Sequence, residues 1–249
     1  MGKVVDLSTT PPSRIERLDL VILPVGSVER HGNHLPLGTD TIIASEVAKR
    51  VAQKLAEKGY VIGLLPPVWY GYTWSLRHFD GTVSVDPDHL AKYVEDVLVT
   101  LPSPRISRVL IINGHGGNKE PLELAVKEAL LRLSPGIKVG VLSWWDVVEK
   151  DEFVALFGIP PMHACEIETS IMMAICEDCV DLEGVEPVIP SWRRLLRSLA
   201  DARKTFAKGY LGNPRRAKKE LGEKLLNVVA KRIANAVSAE LEEEEVGIE

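Results

Sequence analysis

Cysteine is scarce in this chain of 249 residues, and its three thiols, Cys165, Cys176 and Cys179, fall in one short region. An odd number packed so closely does not make the disulfide framework of a small secreted domain. Cys176-Glu-Asp-Cys179 has the spacing for a disulfide or for half a zinc site. The sequence offers no second pair, so these two read as plain buried or helix-end cysteines. Long apolar runs are missing too. None reaches the ~18 residues that a membrane-spanning helix needs, and no signal-peptide core precedes the polar residues met by position 6. The chain therefore reads as cytoplasmic. A basic excess is also absent: the formal net charge is −5, with Lys and Arg scattered except at Arg193, Arg194 and Arg197 and over residues 215–219. That balance offers no basic field to nucleic acid. Repeats and low-complexity linkers are lacking, so residues 1–249 are expected to form one domain.

What is present is ordinary globular material, 45% hydrophobic and 26% charged, which argues against disorder. A chain of this length buries about 70–75% of its unfolded surface. Compact aliphatic runs at 18–25, 61–65, 109–112 and 139–142 have the near-continuous hydrophobicity of parallel strands. Helical patterns alternate with them. Over 42–58, Ile43, Val47, Val51 and Leu55 form one stripe; a second helix starts at Asp86-Pro87 and ends near Leu101, and a third runs from Asn118-Lys-Glu-Pro121 through Leu133. This order predicts an α/β fold, an open and mainly parallel sheet with helices on both faces. From Arg215 the tail reads as one amphipathic helix with Leu221, Leu225, Val228, Val229, Ile233 and Val237 on a stripe, closing in the acidic run 242–245.

In such sheets, ligands bind beyond the carboxyl ends of the strands. After the first run comes Gly26-Ser-Val-Glu-Arg-His-Gly-Asn-His-Leu-Pro-Leu-Gly-Thr-Asp40. Glu29 and His31 are two apart and point the same way on extended chain, while Asp40 arrives at the next helix start, so all three can meet at one ion. After the third run, Asn113-Gly-His-Gly-Gly-Asn118 presents His115 between residues with no side chain to obstruct an approach. After the fourth, Trp144 and Trp145 stand where a pocket wall would be, either to stack a flat substrate or to pack into core or interface. Met162-His-Ala-Cys-Glu-Ile-Glu-Thr-Ser170 adds His163, Glu166 and Glu168. On a helix, 163 and 166 share a face and 168 lies about 200° around from 166, so the two glutamates serve different purposes. Acidic residues would also suit a helix N-terminus there. Four of the six histidines fall in these segments. His34 caps or lines its loop, His89 is a surface residue, and His78 is either structural or a substrate contact. Trp69, Tyr70, Tyr72 and Trp74 close the pocket or make an oligomer contact.

The strings 26–40, 113–118 and His163-Ala-x-Glu-x-Glu-Thr-Ser170 resemble the creatininase (creatinine amidohydrolase) family, and the Gly-Gly form of the second resembles archaeal-type members. Weaker echoes are Phe79-x-Gly-Thr82 and Gly209-x-x-Gly-Asn-Pro214 with Ala217, Glu220 and Gly222. The resemblance implies a three-layer α/β/α sandwich with a mainly parallel central sheet, usually in a homohexamer, whose two divalent ions hydrolyse a non-peptide C–N bond in a small amide. It implies Glu29, Asp40 and His115 as ligands of one metal, and His31 with a bridging Asp40 for the other. Glu166 is the implied fifth ligand, and His163 and Glu168 lie near the substrate and the metal-bound water. Zinc, manganese and ferrous iron all suit such donors. In creatininase the second motif's histidine is followed by an aromatic residue and a glutamate ligand, where this chain has Gly116 and Gly117. That departure weakens creatinine as substrate. The Gly-Gly version also occurs in formamide hydrolases acting on a formylaminopyrimidine nucleotide in flavin and deazaflavin biosynthesis, and in a metallopeptidase that trims a peptide-derived redox cofactor. Two readings from other classes stand beside this one. A non-catalytic assembly protein would use the ions to tie its loops together. A nucleotide-binding module would use 113–118 as a phosphate loop, but it leaves Glu29, His31 and Asp40 unexplained.

Overall fold

Short runs of Val, Ile and Leu with few charges favour strands buried on both faces, as in β2 at the centre of five parallel strands in the order β1-β3-β2-β4-β5. They are β1 (Lys3–Asp6), β2 (Leu20–Val25), β3 (Val61–Leu64), β4 (Arg108–Asn113) and β5 (Lys138–Ser143). The computed structural model describes residues 2–189 and 198–246; Arg193, Arg194 and Arg197 lie outside them. β1 was not foreseen. Its four residues carry a charge at each end and pair only with β3 at the sheet edge, too little pattern to distinguish from a loop.

The helices are α1 (Thr39–Glu57), α2 (Pro87–Thr100), α3 (Lys119–Leu130), α4 (Lys150–Phe157), α5 (Glu166–Ile175), α6 (Leu199–Thr205) and α7 (Lys219–Val246). Strand side chains alternate between faces, and the core divides accordingly. Leu20, Ile22 and Ile112 pack with α1, α5 and α7, whereas Leu23, Val25, Val109 and Ile111 pack with α2 and α3. The result is a three-layer α/β/α sandwich. The stripe foreseen on α1 is entirely buried, with Ile43, Val47, Val51 and Leu55 each at most 1% exposed. α7 starts later than Arg215, because Pro214–Arg216 forms a short 3-10 turn first. Gly222 lets α7 close on α5, since a Cβ there would collide with the Ser170 carbonyl.

Two readings near α5 need correction. Its first residue is Glu166, so His163 sits in the preceding turn and does not share a helical face with Glu166. Cys176 and Cys179 are joined by a disulfide, their Cα atoms 5.3 Å apart across a short turn, rather than free; Cys165 is free and buried. Among the described residues no helix is long and apolar enough to cross a membrane.

Candidate metal centre

The carboxyl ends of β2 and β4 and the N-termini of α1 and α5 converge on one edge of the sheet. β2 delivers the chain into the turn that carries Glu29 and His31, and α1 presents Asp40 in its first turn, where the helix dipole favours an anion. β4 ends at Asn113, whose Oδ1 accepts the His115 N–H at 3.0 Å and whose Nδ2 donates to the His115 carbonyl at 2.8 Å. This Asn fixes the glycine turn. α5 brings in Glu168, whose Oε2 accepts the Ala164 N–H at 2.6 Å.

Three groups of possible ligand atoms lie within 4.8 Å of one another: Glu29, Asp40 and His115; His31, Asp40 and Glu168; and Glu29, His31 and His163. Asp40 belongs to two of them through different oxygens. Its Oδ1 is 3.0 Å from His31 Nε2, and its Oδ2 is 2.9 Å from His115 Nδ1 and accepts Ser27 Oγ–H at 2.7 Å. His31 Nε2 lies 3.9 Å from Glu168 Oε2, His115 Nδ1 lies 3.2 Å from Glu29 Oε1, and His163 Nδ1 lies 3.5 Å from the same Glu29 oxygen.

Each of these three rings is oriented by a backbone carbonyl. His31 Nδ1 faces the Glu29 carbonyl at 3.0 Å, His115 Nε2 that of Tyr72 at 3.0 Å, and His163 Nε2 that of Arg30 at 2.7 Å. A carbonyl oxygen only accepts, so the nitrogen facing it carries the ring proton. The opposite nitrogen of each neutral ring then aims a lone pair at a carboxylate oxygen. Lone pair and carboxylate repel unless a cation lies between them or the ring takes a second proton. A carbonyl or carboxylate behind the ring is the usual arrangement of a metal-ligating histidine. Glu29 adds a second sign: it is 0% exposed, yet neither oxygen has a hydrogen bond among the described residues. A buried carboxylate without donors is costly unless a cation is provided.

Charge is balanced within the cluster itself. Burial opposes a charge on His31, but Asp40, with Glu168 and Glu29, outweighs it and pushes its pKa up to about 10. His115 is likewise raised well above the usual range, against burial, by Glu29 and Asp40. Burial would raise Asp40, but the two rings hold it well below the usual carboxylate range. Burial, with the neighbouring Asp40 and Glu29 charges, pushes the Glu168 carboxyl up to about 7. Burial and the charge of His31 lower His163.

The structure does not bring Glu166 to this cluster. Its carboxylate is 1% exposed and turns to the far side, where Oε2 accepts the Asn213 N–H at 2.8 Å. Of the two α5 glutamates, Glu168 is the one whose carboxylate reaches the cluster. Helix α5 begins two residues before Glu168, and the two glutamates leave it in opposite directions; only the helix start, hidden from the sequence, decides which faces the ligands. Gly117 leaves no room for a ligand of its own, because a Cβ there would collide with the Tyr72 carbonyl oxygen and crowd the His115 ring.

The cluster opens on a cleft of about 470 Å³ lined by Glu29, Asp40, His115, His163 and Glu168 and walled by Trp144, Trp145 and Phe206. Trp144 is buried and its Nε1–H has no partner among the described residues, while Trp145 is half-buried. His78 does not line this cleft; it stacks at 4.3 Å on Phe79. His34 lies behind the site, donating from Nε2 to the Ala164 carbonyl at 3.1 Å. Ser27 and Ala164 escaped the sequence reading. A Ser two residues before Glu29 was the available signal for the first, whereas nothing local marks the second.

The model of the creatininase family, described as creatinine amidohydrolase, matches residues 9–237. Creatinine amidohydrolase of Pseudomonas putida is 31% identical over 237 residues, covering 89% of this chain and 89% of its own. The mycofactocin precursor peptide peptidase of Mycolicibacterium smegmatis is 38% identical over 167 residues, 65% of this chain and 60% of that protein. Among solved structures, "Creatininase Mn" superposes with a TM-score of 0.84 at 28% identity, covering 96% of this chain and 99% of the other. With the family matched over nearly the whole sequence and the same fold beneath it, this chain belongs to the creatininase family of amidohydrolases.

Proposed function

We propose that this amidohydrolase works with two divalent ions, one held by Glu29, Asp40 and His115 and the other by His31, Asp40 and Glu168, with Asp40 between them. The orientation of the rings carries this reading: three backbone carbonyls turn the opposite nitrogens of three rings toward carboxylates, and one of these, Glu29, is buried with no hydrogen-bond donor of its own among the described residues. Imidazole and carboxylate donors suit zinc, manganese or ferrous iron. Bound there, such ions would supply an acidified water near neutral pH and a Lewis acid for the substrate carbonyl.

The chain's own residues do the rest. Ser27 holds Asp40 Oδ2, and Asn113 holds the His115 turn. His163 keeps its Nε2 proton on the Arg30 carbonyl, so Nδ1 is the atom that accepts a proton from the attacking water and returns it to the leaving nitrogen. Glu168 serves the ion, a role that the family resemblance implied for Glu166. A cluster that faces a cleft favours catalysis over a purely structural metal, whose coordination shell would be closed.

The substrate in this reading is a small amide or formamide other than creatinine. Gly116 lines the cleft with open space beside it, where creatininase carries an aromatic residue, so a longer substrate fits. A formylaminopyrimidine nucleotide is one such formamide, and a peptide carbonyl is the alternative. Trp69 and Tyr70, 45% and 52% exposed, are aromatic surface that a homo-oligomer would cover, and the hexamer is what the family resemblance implies. The test is metal analysis by mass spectrometry together with hydrolysis assays on creatinine, formylaminopyrimidine nucleotides and short peptides. Asp40→Ala should lose both ions and all hydrolysis. A variant that kept both ions and full rate would overturn the bridge.

A further inference from the structure

One cation in the cleft is left without a task. Among the described residues that line it, Lys150 is the only Lys or Arg, and it is exposed, as the first residue of α4. Neighbouring cations are engaged: Lys119 lies 3.7 Å from Asp146, and Arg232 makes paired contacts with Glu152 at 2.7 Å. No carboxylate among the described residues comes within ion-pairing distance of Lys150. Of the acids beside it, Glu149 and Glu152 cap the start of α4 reciprocally.

The lining of the cleft thus carries both signs of charge. Glu29 and Asp40 are buried with their histidines, Trp144, Trp145 and Phe206 add apolar surface, and the exposed Lys150 is the one cation without a carboxylate partner among the described residues that line it. A substrate with its amide at the buried carboxylates and a flat apolar portion against the aromatic side chains could bring its far end to Lys150. We propose that this far end is anionic, a carboxylate or a phosphate, and that Lys150 selects for it. The proposal rests on the reading of this cleft as the amidohydrolase site. Lys150 is exposed, so it acts as a specificity residue and its contribution is that of a solvent-accessible ion pair.

Three probes test it on the metal-loaded full chain: formanilide, para-formamidobenzoate and para-formamidophenyl phosphate, which share ring and formamide and differ in the para group, hydrogen, carboxylate or phosphate. Binding is followed by quenching of tryptophan fluorescence and turnover by released formate. The charged probes should bind about two- to fivefold more tightly than formanilide. The preference should shrink as salt is added, because exposed charges are screened. Lys150→Met should abolish it and Lys150→Glu should reverse it, with metal content and formanilide binding unchanged. The stronger of the two anions identifies the group carried.

Equal binding of all three probes, or no binding of the charged ones up to millimolar concentration, overturns the proposal. So does a preference that survives in Lys150→Met, which would mean that the anion simply ligates the metals. The two readings fail separately. Charge-dependent binding without formate release would count against amide hydrolysis and leave Lys150 its role; formate release without charge preference would do the reverse.

Discussion

The turn 26–40 and the turn 162–170 hold the same kinds of side chain, yet they use them differently. In the first, the three expected groups, Glu29, His31 and Asp40, meet at one cluster. In the second, one of two glutamates faces that cluster and the other turns away to the Asn213 backbone. The difference lies in what sets direction. Extended chain and a helix first turn impose fixed side-chain directions, so spacing alone aims Glu29, His31 and Asp40. Glu166 and Glu168 are aimed by the residue at which α5 begins, and that depends on a turn through Ala164, with φ 47°, that sequence periodicity does not carry.

The largest way to break this comparison is to exchange the two glutamates' chemistry. Removing a partner one shell out from a metal costs about 10–100-fold in affinity or activity, so Glu168→Gln should lose one ion per chain and at least about 100-fold in hydrolysis. Glu166→Gln should keep both ions. Its amide oxygen can still accept the Asn213 N–H, so only the charge assistance disappears, about 1 kcal/mol of stability. Metal stoichiometry and denaturant melts on the two variants decide it. The reverse pattern would restore Glu166 as the ligand and sink the geometric assignment.

Legibility followed the same rule elsewhere. β4 stood out because Val, Leu and Ile run unbroken over 109–112, β5 because only Gly140 interrupts its Val and Leu, and α1 because its stripe repeats every four residues. β1 did not, having two apolar residues between two charged ones. Residues 176–179 allowed a disulfide by spacing, but only the turn after α5 brings the two Cα atoms together. His78 carries the right chemistry at the wrong place, and its position depends on a long loop with no periodicity to follow.

A second test uses His34, which links the two turns by donating to the Ala164 carbonyl. Burial, together with the nearby rings of His31 and His163, lowers its pKa from 6.5 to about 4. The unfolded chain therefore binds a proton between pH 6.5 and 4 that the folded chain refuses. The stabilisation is complete above the unfolded pKa, falls as pH drops through this window, and declines no further below the folded value. At about 1.4 kcal/mol per pH unit, the loss reaches about 3 kcal/mol at most. His34→Gln keeps an N–H for the Ala164 carbonyl but cannot titrate, so its stability should fall less steeply in urea melts of the metal-free protein between these two pH values. Parallel curves for the two proteins would show that His34 does not link acid to the fold.

The smallest effect concerns Ala164 itself, the point from which the second turn takes its direction. Its N–H faces Glu168, its carbonyl faces His34, and its φ of 47° is in the left-handed region. That region costs an alanine about 1–2 kcal/mol. Ala164→Gly relieves the strain but also removes a fully buried methyl worth about 1 kcal/mol. The two terms offset, so Gly should be close to neutral in stability. Val has the same strain plus a branched Cβ in a closed core, and should lose about 2 kcal/mol or more. If the turn aims Glu168, metal affinity should follow the same order, with alanine and glycine alike and valine weaker. A valine variant with lowered stability and unchanged metal affinity would mean that Glu168 is aimed by α5 packing alone, and the contrast between the two turns would reduce to helix register.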